Sequence, residues 1–173
     1  MKPYIWLLAL SASFSSFLVQ ANTSQFQTIT DQDPEAVKVV KQFIEGFNAQ
    51  SVEQLIQHTT ENVHWFNLSG LKMDIETSTQ HELAAAMSDY FASLNDAKAR
   101  LRQIVVSANY VSTVEEVTWS HDGEQSSQCS LGVYQLKGNK ISAVWYYPAH
   151  TCDQVTSPQY VEPEIGLLKE TRQ

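Results

Sequence analysis

The feature that most constrains the fold is the separation of helical and strand patterns along the chain. Apolar residues at helical spacing, such as Val37, Val40 and Ile44, lie before residue 95. From residue 100 to residue 147 almost every segment is rich in β-branched and aromatic residues, and short turn sequences divide it. Helices collected early and a long strand meander late predict an α+β domain, with the helices on one face of an antiparallel sheet.

Three segments before residue 95 carry signals for the start of a helix. Asp33 offers the first helix an N-cap, and Pro34 suits the first helical position. The second and third helices begin at Ser51 and Thr79, each followed three residues later by Gln or Glu in a capping box. The third helix is expected to bury an apolar side formed by Leu83, Met87, Tyr90, Phe91 and Leu94.

Six strands are expected. Two short strands come first, over residues 63–68 and 71–76. In the second of these, Leu71, Met73 and Ile75 alternate with polar residues, which predicts a half-buried strand. Four longer strands follow, over residues 101–110, 112–120, 128–136 and 140–147.

The first 33 residues are predicted to lie outside the folded domain. Lys2 precedes an apolar run that extends to Val19, and small residues at Val19 and Ala21 suit signal peptidase. We therefore expect residues 1–21 to be a signal peptide and residues 22–33 a polar leader. A membrane anchor is the alternative, but serines interrupt the run, and a span needs about 20 apolar residues. The mature protein is expected to be exported, to the periplasm or to the medium.

Cysteine count, charge and motifs limit the environment and the partners. Cys129 and Cys152 make an even number in an oxidising compartment, which favours one disulfide bond over two buried thiols. A formal net charge of -8 argues against nucleic acid or an anionic membrane surface as a partner. His81 and Glu82 begin a zinc-protease pattern, but Ala85 stands where the second histidine is needed. No metal and no cofactor are therefore expected.

Three segments and the order of elements resemble a known family, the segments being residues 47–52, residues 62–65 and the last hairpin over residues 133–148. The family is the nuclear transport factor 2-like superfamily, and the branch that the chain resembles is the SnoaL-like and ketosteroid-isomerase-like one. The resemblance implies a cone-shaped, curved antiparallel sheet, one face of which is covered by three helices from the N-terminal half. It divides the chain into a SnoaL-like domain, residues 34–148, and a C-terminal tail, residues 149–173. In such folds the helices close the cone over an apolar pocket.

The resemblance also allows a test for isomerase chemistry. Ketosteroid-isomerase-like members use a carboxylate base, together with a tyrosine and a protonated Asp that hold an oxyanion. In this chain Asn67 falls at the base position, Phe43 at the tyrosine position and Gly132 at the acid position. None of these residues can carry out the corresponding role, so isomerase activity is not expected.

If Asn67 and Gly132 face the pocket, strand alternation predicts the other inward side chains. The same side then carries Trp65, Glu115, Trp119, Tyr134 and Tyr146. Aromatic residues of the first and third helices are expected to close the pocket: Phe43, Phe47 and Tyr90 or Phe91. This lining suits a small apolar or amphipathic molecule. The alternative is that the same aromatics fill the cone as its core.

Glu115 is the candidate acid or base. Among apolar neighbours its carboxyl would lose hydration, which raises its pKa and suits general acid–base catalysis. The alternative places Glu115 at the rim of the pocket in water, beside a solvated Glu116, because unpaired acids are rarely buried. The sequence leaves both open.

The opposite face of the sheet is also expected to be apolar. Its residues are Leu131, Val133, Ile141, Ala143, Trp145 and Tyr147. Such a face predicts a homodimer, or a C-terminal tail that folds back over it and is held by the disulfide bond.

Three functions follow from these expectations. The first is an exported domain that binds a small molecule without isomerase catalysis, and the vacant catalytic positions favour it. The second is a cofactor-independent dehydratase, cyclase or hydrolase that uses Glu115 as its acid–base group. The third is a structural dimerisation module.

Overall fold

A computed structural model describes residues 28–152, with the side chains of Asn95 and His121 left aside. The expected signal peptide, the first half of the leader (residues 22–27) and the tail beyond residue 152 lie outside these residues. The elements in chain order are α1 (Glu35–Asn48), α2 (Val52–Ile56), β1 (Thr59–Ser69), β2 (Lys72–Thr77), α3 (Gln80–Ser93), β3 (Asn95–Ser107), β4 (Tyr110–His121), β5 (Glu124–Leu136) and β6 (Ile141–Tyr146).

Within residues 28–152 the six strands form one curved sheet, in the order β2-β1-β6-β5-β4-β3. Consecutive strands along the chain pair antiparallel wherever they are neighbours, whereas β1 and β6 pair parallel. The fold class predicted from the sequence, an α+β domain with a cone-shaped sheet and three helices in its N-terminal half, is confirmed. The parallel pairing places the first and last strands side by side in the middle of the sheet.

Two of the three predicted helix caps are formed. Ser51 Oγ accepts a hydrogen bond from the backbone N–H of Gln54 at 3.3 Å. Thr79 Oγ1 accepts one from the backbone N–H of Glu82 at 3.1 Å. These bonds satisfy amide groups that the first turn of a helix leaves unpaired, and they begin α2 and α3 where the sequence predicted.

The prediction that Asp33 caps α1 is wrong. Pro34 is the N-cap residue, and no side chain caps the helix. The Asp33 carboxylate instead accepts hydrogen bonds from Lys41 Nζ and from the backbone N–H of Thr30, both at 2.8 Å. Lys41 is 3% exposed, and a buried ammonium group needs a charged partner. Its hydrogen bond lowers the pKa of Asp33, and the pair holds the chain before α1 against the helix.

The expectation that the strand from Leu71 to Ile75 is half-buried is also wrong. Leu71, Met73 and Ile75 are 108%, 56% and 60% exposed. Because β2 is an edge strand that pairs only with β1, its alternating pattern meets no second layer over most of its length. Only its last residue, Thr77, is buried. In α3 likewise only Leu83 is buried, and the other four residues of the predicted apolar side are half-buried.

The core lies between α1 and the inner face of the sheet. Its largest fully buried members include Tyr134, Phe43, Leu101, Val40 and Val144. Ile141 also belongs to this core, so the expectation that it lies on the outer face is wrong. Register shifts at Gln135/Leu136 and between Thr59 and His64 reset the alternation at the start of β6. Ala143, expected on the outer face, is 6% exposed.

The predicted disulfide bond between Cys129 and Cys152 is present, with the two Cα atoms 5.0 Å apart. The backbones of Cys129 and His150 exchange two hydrogen bonds, at 2.9 and 2.8 Å. The chain that follows β6 therefore continues alongside β5 in the direction of β6, as far as His150, and the disulfide bond fixes residue 152 there. Among the described residues no helix is long and apolar enough to cross a membrane.

Candidate functional site

A cavity of about 440 Å³ lies between the inner face of the sheet and the helices α1 and α3. Most of its wall is apolar or aromatic, and includes Phe43, Phe47, Trp65, Leu83, Met87 and Tyr90. A volume of this size, with an apolar wall and few polar groups, is typical of small-molecule sites.

Seven of the residues predicted to face the pocket line this cavity: Phe43, Phe47, Trp65, Asn67, Tyr90, Glu115 and Tyr146. Tyr134 is fully buried behind the wall and contacts Glu115. Trp119 is not part of the wall, although strand alternation had placed it there. It is half-buried two residues beyond Val117, because β4 runs past the cavity toward its turn with β5.

Aromatic contacts connect the cavity wall with the core. The Trp65 ring stacks on Tyr146, with the centroids 4.9 Å apart, and Phe43 lies 6.4 Å from Trp65. On the helical side, Phe47 contacts Tyr90 at 5.8 Å and Phe91 at 5.4 Å. The aromatics thus serve both as packing and as cavity wall. The two interpretations of the sequence, in which these aromatics either fill the core or line a pocket, are therefore compatible.

Glu115 lines the cavity and lies inside a network of hydroxyl groups. Its Oε1 is 2.6 Å from both Thr113 Oγ1 and the Tyr134 hydroxyl. Its Oε2 is 2.7 Å from the Tyr146 hydroxyl. The two tyrosine hydroxyls are themselves 2.6 Å apart. We call Glu115, Tyr134 and Tyr146 the carboxyl–tyrosine ring, because their oxygen atoms form a closed ring of three contacts.

The number of hydrogens available to this ring differs between the neutral and the ionised form of Glu115. Each tyrosine hydroxyl carries one hydrogen, so with an ionised Glu115 the two hydrogens serve only two of the three contacts. A proton on the carboxyl supplies the third. All three contacts of the ring can then carry a hydrogen, which a neutral Glu115 allows and an ionised Glu115 does not.

Burial of Glu115 also favours its neutral form. Glu115 is 2% exposed, and this loss of hydration raises its pKa, although hydrogen bonds from Thr113, Tyr134 and Tyr146 partly oppose the rise. Burial, followed by the nearby Glu115, raises the pKa of Tyr134 and of Tyr146 well above the ordinary value. The alternative that placed Glu115 at the rim in water is wrong. Its neighbour Glu116 is not free in solvent either, because Arg100 and Arg102 pair with it.

Gly132 makes room for the ring. A Cβ atom at this position would lie 3.0 Å from both Glu115 Oε1 and Thr113 Oγ1, and 3.1 Å from Tyr146 Cε1. These distances are shorter than ordinary van der Waals contact, so a side chain here would press on all three groups. The residue that seemed vacant by comparison with isomerases is the one that lets the carboxyl pack against β5.

A family model for the SnoaL-like domain matches residues 40–144. The chain belongs to the SnoaL-like domain family. No curated protein sequence matches it closely enough to count as a relative.

Solved structures share the fold of this SnoaL-like domain at low sequence identity. A cystatin-fold protein from Novosphingobium aromaticivorans is 20% identical, with a TM-score of 0.57 over 66% of this chain and 98% of that chain. An LEH-like epoxide hydrolase from M. tuberculosis is 12% identical, with a TM-score of 0.56 over 65% and 81% of the two chains. A protein from Catenulispora acidiphila with a ketosteroid isomerase-like fold, in complex with trimethylamine, is 7% identical, with a TM-score of 0.56 over 66% and 86%.

The polar groups of this SnoaL-like domain include several that the sequence did not single out. Thr113 donates to Glu115, and Thr77, Gln128 and Ser130 line the cavity. Strand parity with Glu115 in β4 and with Gly132 in β5 was the signal that could have identified Thr113, Gln128 and Ser130. Tyr147, expected on the outer face, also lines the cavity, where the chain leaves β6.

Asn67 lies at the exposed edge of the cavity of the SnoaL-like domain. Its Nδ2 donates to Glu76 Oε2 at 3.0 Å, and both residues line the cavity. An amide held in this way can orient a ligand but cannot act as a base. Among residues 28–152, no group of three or more His, Cys, Asp or Glu side chains is arranged to hold a metal ion.

Proposed function

We propose that this SnoaL-like domain binds a small, largely apolar molecule in the cavity between the sheet and helices α1 and α3. The observation that carries the proposal is that an apolar cavity of about 440 Å³ reaches a buried hydrogen-bonding network through Glu115 and Tyr146. An apolar wall supplies affinity and a small number of fixed polar groups supplies orientation. A purely structural module has no need for open space beside such a network.

Acid–base catalysis is the second candidate, and the carboxyl–tyrosine ring favours it. A neutral carboxyl in the cavity wall can donate its proton to an oxygen of a bound molecule as a bond to that oxygen breaks. Burial raises the pKa of Glu115, which favours the protonated form that this step requires. The LEH-like epoxide hydrolase from M. tuberculosis bears a name for chemistry of this kind on a similar fold. Glu115→Gln preserves a donor and an acceptor but removes the transferable proton.

A matched pair of substitutions in α3 tests the proposed binding. Ala86 lines the cavity, whereas Ala85 is exposed beside it. Ala86→Phe should fill part of the cavity, and Ala85→Phe should leave it open. The measurement is isothermal titration of the protein from residue 22 onward with 2-naphthol, together with native mass spectrometry for co-purified molecules.

We expect Ala86→Phe to lower the affinity for 2-naphthol at least tenfold and to remove any co-purified mass, while Ala85→Phe binds as the wild type does. Equal binding by the two variants contradicts the proposed site. No binding by the wild type contradicts the proposed function for molecules of this size.

We also infer that the protein is exported and that the outer sheet face forms a homodimer. Residues 1–21 carry the signal pattern that supports export, and recovery of a chain that begins at Asn22 from periplasm or medium would test it.

On the outer face, Phe66 and Trp145 stack at 5.4 Å beside the exposed Met73 and Ile75, which supports self-association. Light scattering should show a dimer that Trp145→Asp separates. A monomeric wild type contradicts this inference.

A further inference from the structure

The cavity wall carries acidic side chains and no basic one. Glu76 and Glu115 both line the cavity, and none of the lining residues that the structure describes is a lysine, an arginine or a histidine. A bound anion would therefore meet no positive side chain, whereas a bound cation would meet carboxyl groups. The charge of the wall thus favours a cation over an anion.

Basic side chains on two of the elements that form the wall have acidic partners elsewhere. Arg100 and Arg102 of β3 pair with Glu116 on the outer face of the sheet. Lys41 of α1 is 3% exposed and pairs with Asp33, which precedes the helix. These three cations are therefore held by acids outside the wall and form no salt bridge with either of its carboxyl groups.

An irregular strand pairing brings Glu76 to the cavity. Trp65 of β1 lies opposite Thr77 of β2, and the next residue, Phe66, lies opposite Ile75. Glu76 is therefore an extra residue of β2, as in a β-bulge. Successive residues of a regular strand face opposite sides of a sheet, but here Glu76 and Thr77 both line the cavity. The bulge thus adds an acidic side chain to a mostly apolar wall.

Aromatic rings lie between the two carboxyl groups of the wall. In the strand order of the sheet, Trp65 and Tyr146 are on β1 and β6, between β2 with Glu76 and β4 with Glu115. The rings of Trp65 and Tyr146 stack with their centroids 4.9 Å apart. The Tyr146 hydroxyl is 2.7 Å from Glu115 Oε2. The faces of aromatic rings attract cations, tryptophan most strongly, and aromatic walls are a common way to bind organic ammonium ions.

We propose that the preferred ligand is an amine that binds as an ammonium cation, with its charge near the Trp65–Tyr146 stack and its apolar body against α1 and α3. The inference rests on the proposed binding function, because it assigns the ligand class of the same cavity. Glu76 supplies a negative charge at the exposed edge of the cavity. The positive charge of the ligand favours the ionised form of Glu115, whose proton passes to the solvent, and Glu115 then supplies a second negative charge.

Three probes share an indane body and differ in charge. At neutral pH 2-aminoindane is a cation, 2-indanol is neutral and indane-2-carboxylate is an anion. In isothermal titrations of the protein from residue 22 onward, 2-aminoindane should bind about tenfold more tightly than 2-indanol, because cation–π and carboxylate attraction act together. Indane-2-carboxylate should bind least. Ala86→Phe, which fills part of the cavity, should weaken the binding of 2-aminoindane at least tenfold.

Two substitutions in β2 each remove one negative charge and form a matched pair. Glu76 lines the cavity, whereas Asp74 is exposed two residues earlier and is not part of the wall. Glu76→Gln keeps an oxygen that can accept the hydrogen bond from Asn67. It should weaken the binding of 2-aminoindane about fivefold, the upper range for a partly exposed ion pair, and leave 2-indanol unchanged. Asp74→Asn should leave both affinities unchanged.

The outcomes distinguish this inference from the proposed function. If 2-indanol binds the wild type as tightly as 2-aminoindane, or if 2-naphthol binds and 2-aminoindane does not, the ligand class is wrong while the cavity remains a binding site. Equal weakening by Glu76→Gln and Asp74→Asn, or undiminished binding to Ala86→Phe, would show that the amine responds to surface charge outside the cavity, which overturns the inference. If none of these molecules binds the wild type, the proposed function is wrong and the inference is overturned with it.

Discussion

Two adjacent carboxyl groups of β4 lie on opposite faces of the sheet and meet opposite surroundings. Glu115 points inward, and its hydrogen-bond partners are the hydroxyl groups of Thr113, Tyr134 and Tyr146. Glu116 points outward and accepts hydrogen bonds from two guanidinium groups, one of them at 2.9 Å. A single step along the strand therefore changes the partners from neutral donors to cations.

The two surroundings shift the pKa values in opposite directions. Burial raises the pKa of Glu115, and the hydroxyl donors reduce this rise without cancelling it. Burial also acts to raise the pKa of Glu116, but the hydrogen bonds from Arg100 and Arg102 outweigh it and lower the value. The inner face thus holds an acid with a raised pKa beside a cavity, and the outer face holds an ion pair. Burial alone does not decide the charge of a carboxyl group; the nature of its donors does.

The largest expected effect comes from breaking the ring on the inner face. Tyr134→Phe removes a buried hydroxyl and leaves Tyr146 and Glu115 with one contact fewer each. We expect a loss of about 2 kcal/mol in the free energy of unfolding, measured with urea at neutral pH. Tyr110→Phe is the control, since Tyr110 is 38% exposed and its hydroxyl accepts from Gln135 at the surface. Equal losses in the two variants would show that the ring adds nothing.

A smaller effect is expected from crowding the ring without removing any of its groups. Gly132→Ala places a methyl group 3.0 Å from Glu115 Oε1 and from Thr113 Oγ1. We expect a loss of about 1 kcal/mol in the free energy of unfolding. The tyrosine ring signals of the variant should also shift in NMR spectra, because the carboxyl must move. An unchanged stability together with unchanged tyrosine signals would mean that the space at Gly132 is not needed.

The smallest effect concerns the outer face, and its pH dependence has the opposite sign to that of the inner face. Glu116 has a lowered pKa, so its stabilisation is present above its ordinary value and is lost as the pH falls. Because Arg100 and Arg102 are partly exposed, we expect Glu116→Gln to cost only about 0.5 kcal/mol at neutral pH.

For Glu115 the sign is reversed. The folded protein holds the proton after the unfolded chain has released it, so the stability contribution falls as the pH rises above the ordinary value of a glutamate. Glu115→Gln removes that fall. Urea unfolding from about pH 4 to about pH 9 should therefore show both variants departing from the wild type as the pH rises, Glu116→Gln toward lower relative stability and Glu115→Gln toward higher relative stability. Departures of the same sign would refute the comparison.

Much of the cavity wall could be predicted from the sequence, because strand alternation is a local property. The parity of Asn67 and Gly132 correctly placed Trp65, Glu115 and Tyr146 on one side of the sheet. Parity was wrong for Ile141 at the start of β6, where register shifts reset the alternation. A bulge depends on how two strands pair and leaves no clear mark in either strand alone.

The burial of Glu115 among hydroxyl groups could not be predicted, because its partners are distant in the chain. Tyr134 and Tyr146 lie 19 and 31 residues from Glu115, on two other strands. From the sequence, a glutamate among aromatic residues fits a buried position and a position at the rim of the pocket equally well. Only the strand register shows that hydroxyl groups from other strands surround Glu115.

The most direct test of this account is the protonation state of Glu115 in the folded protein. The ¹³C NMR shift of its side-chain carboxyl, assigned by comparison with Glu115→Gln, can be followed from acid to alkaline pH. We predict a protonated carboxyl at neutral pH and a midpoint above the ordinary value of a glutamate. A carboxyl that is already ionised at neutral pH would leave one of the three ring contacts without a hydrogen, and would contradict the neutral ring on which the account of the cavity rests.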